Sequence, residues 1–94
     1  MRQAAKVDKN QAAIVEALQR MGANVESLAD VGRGVPDLLV GYAGRLILLE
    51  IKSRPRARLT TSQAIWHRRW AGYPVYVVRS VEEALRVIGF ELDG

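Results

Sequence analysis

Residues 34–53, GVPDLLVGYAGRLILLEIKS, constrain the fold more than any other stretch of the chain. Two runs rich in Leu, Val and Ile are joined by the short Gly-bounded segment GYAG. Such runs read as neighbouring strands of a buried sheet, roughly 36–41 and 45–53, and the joint as a hairpin turn. Each run also carries charge, with Asp37 at the start of the first and Glu50 and Lys52 at the end of the second. With Tyr42-Ala43 as the turn and no bulge, Leu39 faces Leu46 and Asp37 faces Leu48. Side chains alternate along a strand, so Asp37, Leu48, Glu50 and Lys52 share one face, and Glu50 is a diagonal neighbour of Asp37. Other even-numbered loops keep that face assignment, whereas one bulge reverses it.

Two carboxylates converging at this range can chelate one divalent cation through oxygen, as Mg²⁺ prefers. Without a cation they repel, and one of them holds its proton to higher pH. Lys52, one pleat beyond Glu50, reaches the same region and could position a water or stabilise an anionic transition state. Ile51 points to the opposite face as a core residue, but its backbone carbonyl remains a candidate third oxygen ligand. The plainer alternative is that Asp37 caps a turn after Pro36 while Glu50 and Lys52 pair at a strand end.

The flanking sequence supplies a compact α/β frame. A helix is expected from Asp8 to Gly22, with Ile14, Leu18 and Met21 on one stripe, followed by a short strand within 23–30. VGRG breaks the pattern as a loop, and RPRARLT (54–60) reads as a basic loop. A second helix is expected from Thr61 to Gly72, a strand at 74–78, and a final helix behind the S-x-x-E capping box of Ser80 and Glu83. The predicted order is α-β-β-β-α-β-α in one domain spanning 1–94, with residues 1–7 as a mobile lead-in.

Fourteen Lys and Arg against ten Asp and Glu give a formal charge of +4, which favours an anionic partner, nucleic acid first. Arg54, Arg56 and Arg58 follow the charged strand end directly. With Arg33 in the Gly-rich loop and Arg68 and Arg69 on the second helix, they form candidate phosphate contacts that read no base sequence. His67 shares a helical stripe with Gln63, Trp66 and Trp70. The Trp pair is expected to pack on the sheet, and His67, one turn after Gln63, could reach the cleft to contact a phosphate or assist proton transfer. No Walker or dinucleotide motif is present, so no nucleotide cofactor is expected. No apolar run approaches a membrane span, and the absence of cysteine suits a reducing, cytoplasmic setting.

Pro36-Asp37, a hydrophobic hairpin and then Glu50-Ile51-Lys52 together resemble the PD-(D/E)XK nuclease signature. More narrowly, GVPDLLVG, LLEIKS and LTTSQAIWHRRWAGYPVYVVRSVEEAL are similar to the VRR-NUC family, the virus-type replication and repair nuclease domain. The resemblance runs from about Asp8 to Ile88. It implies a restriction-endonuclease-like αβββαβ core, a four-stranded mixed sheet flanked by helices, and metal-dependent hydrolysis of phosphodiester bonds. Asp37, Glu50 and the Ile51 carbonyl would hold Mg²⁺ or Mn²⁺, Lys52 would assist the attacking water, and Gln63 would join the site. Gln63 also fits a capping box with Thr60, and the two roles are compatible. Minimal members of the family are associated with homodimers and with branched DNA, four-way (Holliday) junctions in particular, in bacterial or phage-infected cells. The family often has a Glu early in the first helix, where this chain has DKNQ. Asp8, Asn10 or Gln11 would occupy that neighbourhood, and Glu16 lies further along. Two other readings stand beside the nuclease: a catalytically silent basic DNA-binding module, and a subunit of a larger DNA-processing complex.

Overall fold

The computed structural model describes residues 9–93, and the side-chain surroundings of residues 9–89. The expected lead-in over 1–7 and the candidate Asp8 lie outside these residues. Helix α1 (Lys9–Arg20) buries Ile14 and Leu18 completely. It ends where Gly22 takes φ +94°, with Gly22 N–H donating to the Gln19 carbonyl and Ala23 N–H to the Leu18 carbonyl. That pair of bonds satisfies the last-turn carbonyls and needs a left-handed residue between them, which glycine supplies without strain.

Four strands follow: β1 (Asn24–Ser27), β2 (Leu38–Tyr42), β3 (Arg45–Ile51) and, after helix α2 (Thr61–Arg69), β4 (Val75–Val78). Helix α3 (Val81–Asp93) closes the order, which is the expected α-β-β-β-α-β-α. The sheet runs β1-β2-β3-β4 in space, antiparallel through β3 and parallel between β3 and β4. This is the four-stranded mixed sheet and helix arrangement of a restriction-endonuclease-like α/β domain.

The hairpin register differs from the expected one. Tyr42 pairs with Arg45, and Leu39 with Leu48 rather than Leu46. The turn is therefore Ala43-Gly44, whose φ values of +52° and +79° are both left-handed. Such a two-residue turn matches the natural twist of its strands, and Gly44 removes the steric cost at the second position. The slide is two residues, so every side chain keeps its face. One step beyond the last pair, Leu38–Leu49, the same register sets Asp37 opposite Glu50 instead of diagonal to it.

The two faces of the sheet are built differently. Leu38, Val40, Ile47, Leu49, Ile51 and Val78 point to one side and form a continuous core with Ile14 and Leu18 of α1 and Ala84 and Ile88 of α3. The other side carries Leu39, Leu48, Glu50 and Lys52, partly covered by α2. That helix stops at Arg69, earlier than the expected Gly72. Trp66 is buried, but Trp70, stacked on it at 4.9 Å, is 37% exposed, so only one of the two Trp residues is core. The Ser80–Glu83 box forms at the start of α3, where the Ser80 hydroxyl accepts from Glu83 N–H. The Glu83 carboxylate reaches back to Arg79 N–H, one residue further than a standard box.

Candidate active site

Asp37 sits between two strands and is bonded to both sides. Its carbonyl accepts from Leu28 N–H at the end of β1, and its carboxylate Oδ2 accepts from Ile51 N–H at 2.7 Å. The second bond ties the carboxylate to the end of β3, beside Glu50.

Glu50 is the one charged residue type found buried among the described residues, at 1% exposure. Burial pushes its carboxyl up to about 8, and the neighbouring Asp37, through both a hydrogen bond and like charge, pushes the same way. The Lys52 amine opposes them. A carboxylate in that position is neutralised either by a proton or by a bound cation.

Lys52 and Glu50 are connected through Gln63. Lys52 Nζ donates to Gln63 Oε1 at 2.8 Å, and Gln63 Nε2 donates to Glu50 Oε2 at 3.2 Å. Gln63 Oε1 also accepts from Thr60 N–H at 2.8 Å, while the Thr60 hydroxyl accepts from Gln63 N–H. Both roles read for this residue are therefore present at once: Gln63 completes the capping box of α2 and joins the carboxylate cluster.

Gly34 holds the helix start against this cluster, a function its place in a loop did not reveal. It adopts φ +82°, and a Cβ there would overlap the Ser62 carbonyl and come within 2.9 Å of Gln63 N. Only a residue without a side chain lets the VGRG loop approach α2 so closely.

The remaining candidates divide into two groups. His67 belongs with the carboxylates: its Nε2 lies 3.9 Å from Glu50 Oε1, and both atoms are buried without a hydrogen-bond partner. Burial, and secondarily the Lys52 charge, lower its pKa. Arg33, Arg54, Arg56, Arg58, Arg68 and Arg69 are instead exposed. The Arg54 carbonyl is fixed by the Arg79 guanidinium at 2.8 Å, which anchors the basic loop next to the sheet end. In α1, Asn10 Nδ2 donates to the Arg79 carbonyl, whereas Gln11 lines an outer groove with Ala12, Val15 and Glu16. Glu16 pairs with Arg20 across one exposed turn.

Asp37 and Glu50 supply hard oxygen donors, and the unpartnered Glu50 Oε1 is a buried acceptor with nothing yet to accept from. That donor set fits Mg²⁺ or Mn²⁺. Among the described residues no three His, Cys, Asp or Glu side chains form a ready metal cluster. The two carboxylates would accordingly need further ligands to complete a coordination shell.

A solved structure described as a VRR_NUC domain is similar to this chain, with 29% identity and a TM-score of 0.71 over 86% of this chain and 91% of the other. The chain has the VRR-NUC fold. The likeness suggests a nuclease domain, and of the residues that carried the VRR-NUC resemblance, Asp37, Glu50, Lys52 and Gln63 lie together in this fold. No protein-family model and no curated protein matches the chain. Among the described residues, no helix is long and apolar enough to cross a membrane.

Proposed function

We propose that this protein is a metal-dependent DNA endonuclease that hydrolyses phosphodiester bonds in branched DNA, four-way junctions foremost, as a homodimer. The observation that carries the reading is Glu50, a carboxyl buried at 1% exposure against Asp37 and joined through Gln63 to Lys52. A structural role does not account for that placement, because burying one carboxyl beside a second, half-buried one destabilises a fold.

Asp37 and Glu50, with the Ile51 carbonyl, would hold Mg²⁺ or Mn²⁺. The bound ion would polarise a phosphate oxygen and lower the pKa of a water. Lys52 orients a water or meets the negative charge that develops on the phosphate, and Gln63 keeps its amine aimed beside Glu50. The exposed arginines grip backbone phosphates, so affinity falls steeply with salt and is indifferent to base sequence. Pairing of two copies is supported by an apolar patch on the site-bearing face, where Leu46 is 67% and Tyr73 62% exposed. A twofold dimer places two sites on a symmetric junction.

The test is cleavage of end-labelled duplex, single-stranded, flap and four-way-junction DNA with Mg²⁺, Mn²⁺ or EDTA, with Lys52→Ala as control. Metal-dependent junction cutting that vanishes in the variant is the expected result. Binding of every substrate with no cutting under either metal would replace the reading with a silent DNA-binding module.

A further inference from the structure

His67 and Glu50 present two unsatisfied atoms to each other. Glu50 Oε1 and His67 Nε2 are buried and without hydrogen-bond partners, and they face one another across 3.9 Å. That gap is too long for a hydrogen bond. A buried polar atom left unpaired destabilises a fold, and folded proteins rarely tolerate two such groups in contact without a use for them.

The imidazole is held in place. Its ring meets Trp66 edge-on, with centroids 5.7 Å apart and planes at 72°, and its side chain is 16% exposed. An imidazole nitrogen is a common metal ligand. Metal bonds to an imidazole nitrogen and a carboxylate oxygen are each about 2.0–2.2 Å, so one ion can span a gap of this size with little adjustment of either side chain. His67 also enters from α2, opposite the strand end that carries Asp37 and Glu50, and so adds a donor from a new direction.

We propose that His67 Nε2 is a nitrogen ligand to the ion held by Asp37 and Glu50, making this site favour nitrogen-accepting ions over Mg²⁺. This rests on the metal-binding reading above and adds a ligand to it. Purely carboxylate and carbonyl sites suit Mg²⁺, whereas an imidazole shifts preference toward ions such as Zn²⁺, Co²⁺ or Cd²⁺.

Cd²⁺ is the practical probe, because the chain has one histidine and no cysteine to compete for the ion. Tag-free protein carrying isotope-labelled histidine is titrated with Cd²⁺, and through-bond cadmium–nitrogen coupling is sought by NMR. Coupling at the ring nitrogen is the expected result. In parallel, calorimetry compares Cd²⁺ and Mg²⁺ binding to the native protein and to His67→Ala. The variant should lose at least about tenfold in Cd²⁺ affinity and less than about twofold for Mg²⁺. Cd²⁺ bound without nitrogen coupling overturns the proposal, as does an equal loss for both ions, which would make His67 a support for Glu50 alone. Either outcome leaves the endonuclease reading standing. A native protein that binds no divalent ion overturns both. The labelling arm uses unmutated protein, so it decides the matter even if His67→Ala fails to fold.

Discussion

One strand, β3, serves two opposite purposes on its two faces. Ile47, Leu49 and Ile51 point into a core sealed by α1 and α3, and none is more than 8% exposed. Leu46, Leu48, Glu50 and Lys52 point the other way, toward a nine-residue helix that leaves Leu46 two-thirds exposed and buries a carboxyl. The first face gains stability from excluding water around apolar groups. The second sacrifices some of it by bringing like charges together. A fold this small can carry the second face because the first is continuous from β2 to β4.

Glu50→Gln should break the comparison most sharply. It keeps the shape of the protonated acid while removing the charge, so cleavage should fall on the order of a thousandfold, about 4 kcal/mol of barrier, in a single-turnover assay. Thermal unfolding in EDTA should show no loss of stability. On the other face, Leu49→Ala should do the reverse. Emptying a fully buried Leu position costs about 2–5 kcal/mol by denaturant titration, and residual cleavage should track the folded fraction.

The pH dependence separates the faces without mutation. Glu50 is raised from 4.5 to about 8, so the folded protein binds this proton more tightly than the unfolded chain does. Its contribution to stability is therefore complete below about 4.5 and is lost as pH rises toward about 8. The slope approaches about 1.4 kcal/mol per pH unit within that window. Denaturation in EDTA across the window should show the decline in the native protein and not in Glu50→Gln. Gln63→Ala should have a smaller effect on stability, about 1 kcal/mol from the lost cap, together with reduced cleavage because Lys52 loses its partner. Leu46→Ser should be smallest for the protomer itself, within about 0.5 kcal/mol by denaturant titration at a concentration where the protein is monomeric, although it shares a strand with Leu49.

Much of this division is written in the alternation of residues 36–52. Parity alone assigns Asp37, Glu50 and Lys52 to one face, and parity survives a two-residue error in register. The register itself was not legible, because GYAG accommodates a turn at Tyr42-Ala43 or at Ala43-Gly44, and the choice depends on left-handed geometry at both central residues. The capping boxes were legible because their partners lie three residues apart. The stripe shared with Gln63 pointed His67 toward the cleft, but its approach to Glu50 was not legible, nor was the packing of Gly34, since each meets a group distant in sequence: Glu50 for His67, and the start of α2 for Gly34. The exposure of Trp70 was hidden for a related reason. A helical stripe predicts which residues share a side, but not where the helix stops covering the sheet.

The double duty of Gln63 has a kinetic consequence. The oxygen that receives the Lys52 amine is the same oxygen that receives Thr60 N–H, so the first turn of α2 cannot fray while the Lys52–Gln63–Glu50 chain stays assembled. Local opening of that turn and dismantling of the cluster are a single fluctuation. Hydrogen exchange at the Thr60 and Gln63 amides would then act as a clock for how often the constellation comes apart, readable in the resting protein without any substrate present.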